Sequence, residues 1–124
     1  MPKRILIVDD HAAVRRAVTR LFETVPSLEI CGEAENGCIA IEKARALKPD
    51  AIVIDLSMPV MNGLQATRIL RVLLPAVPIL MYTSFTNVRL AEEAFAAGVT
   101  KVTSKTSPPE ALVQELQSLL VDAA

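Results

Sequence analysis

The chain has 124 residues, 52% hydrophobic and only 3% aromatic, with 13 Lys plus Arg against 14 Asp plus Glu. That length suits one domain, residues 1–124, with an aliphatic core. The charge balance gives no electrostatic reason for direct nucleic-acid binding. The Met-Pro-Lys-Arg start does not read as a signal peptide, and no apolar run approaches the ~20 residues of a membrane helix. A cytoplasmic chain with no membrane contact is the expectation.

Ile5–Val8 is a short aliphatic run expected to form the first strand, buried on both faces. It runs straight into two adjacent carboxylates, Asp9 and Asp10. Val14, Ala17, Val18, Leu21, Phe22 and Val25 recur at i, i+3, i+4 and i+7, which predicts a first helix. Its Arg15, Arg16 and Arg20 are expected on the solvated face. Leu28–Ala34 is a weaker strand, and Ala40, Ile41, Ala44 and Leu47 mark a second helix. Cys31 and Cys38 lack metal-ligand spacing and are expected as free thiols.

Ala51–Ile54 is the third strand and ends at Asp55. Leu64, Thr67, Leu70 and Leu74 outline a third helix, and Pro75 and Pro78 punctuate its exit. Val77–Tyr82 is the fourth strand, followed by Thr83 and Ser84. Ser84 or Thr86 is the expected cap of a fourth helix with the stripe Asn87, Ala91, Ala94 and Phe95. Gly98 follows it, where a left-handed C-cap is wanted. Lys101–Ser104 is the fifth strand and ends at Lys105. Ser107 as N-cap, Pro108 at the first helical position and Glu110 as the partner in a capping box open the last helix. Leu112, Leu116, Leu119 and Leu120 line its inner face.

Five strands alternating with five helices imply a doubly wound α/β sandwich, because parallel strands need crossover helices. Ligands in such sheets sit beyond the carboxyl ends of the strands. Asp9, Asp10, Asp55, Thr83 and Lys105 all stand there. Two like charges 4 Å apart repel by about 4 kcal/mol at a surface-like dielectric, so three gathered carboxylates call for a divalent cation. Oxygen-only ligands favour Mg²⁺, Mn²⁺ or Ca²⁺ over zinc, and an open rim suits Mg²⁺ with its retained waters. Asp9 and Asp10 form a natural metal pair. Asp55, alone after a central strand, is the candidate nucleophile for an acyl phosphate. Lys105 supplies a second positive charge to the phosphoryl group, and Thr83 a hydrogen bond.

The segments VDD, IDLSMPVMNG, MYTSF and KTSPPE, in that order, resemble the receiver domain of bacterial response regulators over nearly the whole chain. The D-L-S-M-P-x-M-x-G loop and the DDH start are most similar to receivers of LuxR/NarL-type transcriptional regulators. The resemblance implies a flavodoxin-like (βα)5 three-layer sandwich with parallel strand order 2-1-3-4-5. It implies Asp55 as phosphoacceptor and Mg²⁺ held by Asp9, Asp10, Asp55 and the backbone carbonyl of Ser57. Thr83 and Lys105 would bind the phosphoryl group, donated by a phosphohistidine on a sensor histidine kinase. Such a chain is no enzyme toward other substrates; it phosphorylates and dephosphorylates only itself. It would control partner binding, a homodimer through the fourth and fifth βα segments, or a DNA-binding domain outside this chain.

Two positions depart from the pattern. Receivers usually carry Tyr or Phe three residues before the lysine; here it is Val102, whose stiff branched side chain cannot swing as a ring does. Output is then expected to use backbone shifts in the fourth and fifth segments. Phe85, two residues after Thr83, is expected to exclude attacking water from the acyl phosphate. The rival functions are a haloacid-dehalogenase-like phosphatase, which wants Asp-x-Asp rather than Asp-Asp after its first strand, and a degenerate receiver with weakened switching. In the bland reading Asp9 and Asp10 merely cap the first helix, and His11 is a solvated or outer neighbour of the metal pair.

Overall fold

The structure is a computed structural model that describes residues 1–123. Its elements run β1 (Lys3–Val8), α1 (Ala12–Glu23), β2 (Leu28–Ala34), α2 (Gly37–Leu47), β3 (Ala51–Ile54), α3 (Gly63–Leu73), β4 (Ile79–Thr83), α4 (Val88–Ala97), β5 (Lys101–Ser104) and α5 (Pro109–Ala123). All strand pairs are parallel, in the order β2-β1-β3-β4-β5. This is the flavodoxin-like arrangement expected from the sequence. The strands are nearly unbroken aliphatic runs because helices cover both faces of the sheet. Leu6, Val8, Ile52, Ile54, Ile79 and Met81 pack under α2, α3 and α4. Ile5, Ile7, Val53 and Leu80 meet Val18 and Phe22 of α1 and Leu112 and Leu116 of α5.

Several boundaries differ from expectation, each for a local reason. β1 begins at Lys3 because its amide donates to the Ser27 carbonyl at 2.9 Å. β4 begins at Ile79, beyond the turn that Val77 closes with Leu74. α1 stops at Glu23, so Val25 packs from the loop that follows. The α4 cap is neither Ser84 nor Thr86: Asn87 accepts the Leu90 amide at 2.8 Å. Of the expected α4 stripe Ala94 is buried, joined by Leu90 and Ala97, while Phe95 is 51% exposed. Gly98 does take the left-handed C-cap, at φ 113°. The last helix starts one residue late. The Ser107 amide donates to Ser104 in a turn, and Pro109, not Pro108, is the first helical residue; among the described residues no hydrogen bond joins Ser107 and Glu110 as the expected capping box requires.

Candidate functional site

The hydrogen-bond ladder of the sheet runs one residue past the strands and fixes the residues that carry the charges. The Asp9 amide donates to Ala34 at 3.0 Å, Asp55 to Val8 at 2.9 Å and Lys105 to Thr83 at 2.9 Å. Each of these side chains therefore leaves the sheet from a backbone tied to its neighbour strand. Donor atoms of Asp9, Asp10, His11 and Asp55 all lie within 4.8 Å of one another. The Lys105 ammonium bridges two of them, 2.6 Å from Asp9 Oδ2 and 3.3 Å from Asp55 Oδ2. Asp9 and Asp55 are buried and Asp10 is partly exposed.

A glycine and a strained turn shape the loop after Asp55. Gly63, at the start of α3, donates to the Leu56 carbonyl at 2.8 Å. A Cβ on Gly63 would stand 2.2 Å from the Asp55 carbonyl oxygen, so only glycine lets α3 approach this closely. The helix start itself is held by a capping box between Asn62 and Gln65. Between them and Asp55, Met61 donates to Pro59 at 2.7 Å around Val60, whose φ is +69°. That is a γ-turn of the rarer, strained hand. Met61 also accepts the Gly37 amide at 3.0 Å, which docks the loop on the start of α2.

Burial raises the Asp55 pKa; Lys105 opposes this and the Asp9 charge adds to it. Burial works to lower the Lys105 pKa, but its bonds to Asp9 and Asp55 outweigh that and the net shift is upward. The cluster thus has one ammonium for three carboxylates. Asp10 Oδ1 is shielded from solvent and accepts no hydrogen bond, although His11 Nδ1 lies 3.1 Å away in poor alignment for one. An unsatisfied carboxylate oxygen beside two further carboxylates is the donor set a hard divalent cation fits.

The structure brings Asp9, Asp10, Asp55 and Lys105 together. Thr83 is fully buried at the end of β4; its hydroxyl accepts the Phe85 amide at 3.2 Å and has no bond to the acidic groups among the described residues. Ser57 is exposed in the loop after β3. Asp9 does not cap α1: His11 is its N-cap residue, and Asp9 Oδ1 accepts the His11 amide at 2.9 Å. Phe85 is mostly exposed. Arg15 is not on a solvated face. Its side chain is 18% exposed and donates to the Asp9 carbonyl at 2.6 Å and to Glu33 at 2.9 Å. Its partners come from other segments, so helical periodicity could not have found this role. The approach of Gly63 was foreshadowed only by the Asn-Gly pair closing the Asp55 run.

A family model described as "Response regulator receiver domain" matches residues 5–117. The chain is 33% identical over 116 residues to the transcriptional regulatory protein LnrK of Bacillus subtilis, covering 94% of this chain and 53% of that protein. It is 44% identical over 87 residues to a protein-glutamate methylesterase/protein-glutamine glutaminase of Idiomarina loihiensis, covering 70% of this chain and 22% of that protein. The chain thus spans about half or less of these curated relatives. Among solved structures, a two-component response regulator of the LuxR family from Aurantimonas sp. superposes with a TM-score of 0.94 at 35% identity, covering 98% of this chain and 87% of that one.

Proposed function

The chain belongs to the response regulator receiver domain family, and we propose that within it Asp55 accepts a phosphoryl group from a phosphohistidine of a sensor histidine kinase. Receiver domains interact with such kinases and bind Mg²⁺ at an acidic pocket. In the transfer, the bond from phosphorus to the histidine nitrogen breaks, a bond to an Asp55 carboxylate oxygen forms, and the histidine departs with its electron pair. The observation that carries this reading is the convergence of Asp9, Asp10 and Asp55, with Lys105 between Asp9 and Asp55.

Asp9, Asp10, Asp55 and the Ser57 carbonyl are the residues that would hold Mg²⁺. When bound it supplies positive charge that offsets the carboxylates and the incoming phosphoryl oxygens. Lys105 neutralises charge on the same group, and the Thr83 hydroxyl is the donor at the end of β4. On this reading residues 1–124 are one cytoplasmic receiver domain that modifies only itself. Its output passes to a partner, to a second copy through the fourth and fifth βα segments, or to a DNA-binding domain elsewhere. The exposed Val88 and Phe95 of α4, beside the half-buried Val102, support output from that side. No helix among the described residues is long and apolar enough to cross a membrane.

Intact-mass spectrometry after incubation with acetyl phosphate, with and without Mg²⁺, tests the reading. One phosphoryl mass is expected on the wild type with Mg²⁺, and none on Asp55→Asn. Equal labelling of that variant would overturn the assignment of Asp55.

A further inference from the structure

We propose that His11 is an additional side-chain ligand of this cation site, giving a mixed carboxylate–imidazole donor set that takes late transition-metal ions such as Ni²⁺ beside Mg²⁺. The inference rests on the cation site proposed above and says which metals it discriminates. His11 Nδ1 lies 3.2 Å from Asp9 Oδ1 and 3.1 Å from Asp10 Oδ1. Two ligands at right angles on a cation about 2.1 Å away stand about 3.0 Å apart. The Asp10 spacing matches that edge without a hydrogen bond to explain it, while at Asp9 the same ring nitrogen is hydrogen-bonded, a contact a bound ion would replace.

The Asp10 contact carries further weight. Asp10 Oδ1 is shielded from water and unsatisfied, and the His11 ring is not aligned to donate to it. Two donor atoms in contact, without a good hydrogen bond between them, are arranged as ligands of a third body would be. Among the described residues the ring's one hydrogen-bond partner is Asp9 Oδ1, which the His11 amide already serves. His11 is the N-cap residue of α1, yet its side chain makes no capping bond. It is 66% exposed at the open rim, so a hydrated ion can reach it.

The chemistry of the donors decides which ions gain. Carboxylate and carbonyl oxygens suit Mg²⁺, Ca²⁺ and Mn²⁺, whereas imidazole suits Ni²⁺, Cu²⁺ and Zn²⁺. Mg²⁺ gives up its waters reluctantly and gains little from the ring. His11 therefore widens the range of ions that occupy the site without strengthening Mg²⁺ binding.

Isothermal titration of the untagged chain with Mg²⁺ and with Ni²⁺, in wild type and His11→Asn, tests this. Ni²⁺ affinity is expected to fall about tenfold or more in the variant, the scale of losses around metal sites, while Mg²⁺ affinity stays within about twofold. If His11 is only a counter-charge to Asp9 and Asp10, its removal tightens both ions alike, and that result overturns the proposal. A second measurement does not depend on the variant folding. The chain has one histidine, so pulsed EPR of Cu²⁺ bound to the wild type must show imidazole nitrogen coupling, and its absence also overturns the proposal. Failure of these tests with wild-type Asp55 still labelled in Mg²⁺ removes only the ligand role; failure of wild-type Mg²⁺ binding and labelling together removes the phosphoacceptor reading with it.

Discussion

Gly63→Ala sets two effects of opposite sign against each other. By helix propensity alone, alanine in α3 would stabilise the chain by up to about 1 kcal/mol. The structure opposes this. The new methyl would lie 2.2 Å from the Asp55 carbonyl oxygen, 3.0 Å from its carbonyl carbon and 3.1 Å from the Leu56 Cα. A carbon needs about 3.3 Å from a carbonyl oxygen, so roughly 1 Å must be found in backbone that no rotamer can move aside. Overpacking of this kind costs about 1–3 kcal/mol, and the 2.8 Å bond from Gly63 to Leu56 is strained with it. The clash therefore wins, and urea unfolding should show a net loss of about 1–2 kcal/mol. The displaced atoms belong to Asp55 itself, and a misplacement near 1 Å can cost about 100-fold in rate. Acetyl phosphate labelling should fall far more than stability does. A variant at least as stable as wild type and labelled at the wild-type rate would refute the reasoning.

Three further substitutions test separate features. Because burial holds the Asp55 pKa above its ordinary 3.8, the folded state binds this proton more tightly than the unfolded one. The contribution of Asp55 is then most favourable below pH 3.8 and is lost as pH rises through the folded value. Asp55→Asn should stabilise the metal-free protein at neutral pH, a gain that shrinks toward pH 4 in urea titrations; a pH-independent difference would contradict this. Val60 is exposed and sits at φ +69°, a conformation costing a non-glycine residue roughly 1–2 kcal/mol. Val60→Gly should raise the urea midpoint, since the strain relieved exceeds the roughly 0.5–1 kcal/mol of added unfolded-state entropy; a lowered midpoint would count against the strain. Arg71 donates to the carbonyls of Gly98 (2.6 Å), Val77 (2.7 Å) and Pro75 (3.1 Å), tying the end of α3 to the end of α4. Arg71→Ala should cost about 2–3 kcal/mol, with Arg71→Lys recovering only part for want of the planar fork; a loss under about 0.5 kcal/mol would place Arg71 among ordinary surface residues.

The strand runs carried the fold in plain view. Ala51–Ile54 can be buried on both faces only in a parallel sheet with helices above and below, and that places Asp55 at its rim. Weaker signals misled where local chemistry had two solutions. Ser84, Thr86 and Asn87 are all good caps by residue type, and the structure uses Asn87, which accepts the amide of the buried Leu90. The α4 stripe departs from expectation because Phe95 looks like core to a periodicity argument, whereas Leu90, Ala94 and Ala97 are the buried residues and Ala94 packs with Met81 and Val99. At the site, the positions of Asp9, Asp10, Asp55 and Lys105 followed from strand ends. The engagement of Arg15 with Asp9 and Glu33 did not, because no spacing rule connects a helix residue to a strand 18 positions away. The approach of the His11 ring to two carboxylates was equally hidden, since it depends on torsions at the end of β1.

The cluster that makes the chemistry possible is held by a single ammonium. Lys105 has three protons to donate; it donates one to Asp9 at 2.6 Å and forms an ion pair with Asp55 at 3.3 Å. The shorter contact anchors the side chain and the longer one is the easier to exchange. On the proposed reading a phosphoryl oxygen on Asp55 takes up the looser side, so Lys105 follows the new charge while staying bound to Asp9. Its own backbone amide is bonded to Thr83 at 2.9 Å, so that motion reaches the ends of β4 and β5 together. Three residues upstream, Val102 packs against the apolar cluster beneath α3 and α4, with no ring to rotate. On the proposed reading, movement at Lys105 would have the backbone of β5 as its route outward, and the β4–β5 edge is the part of this chain expected to shift on phosphorylation.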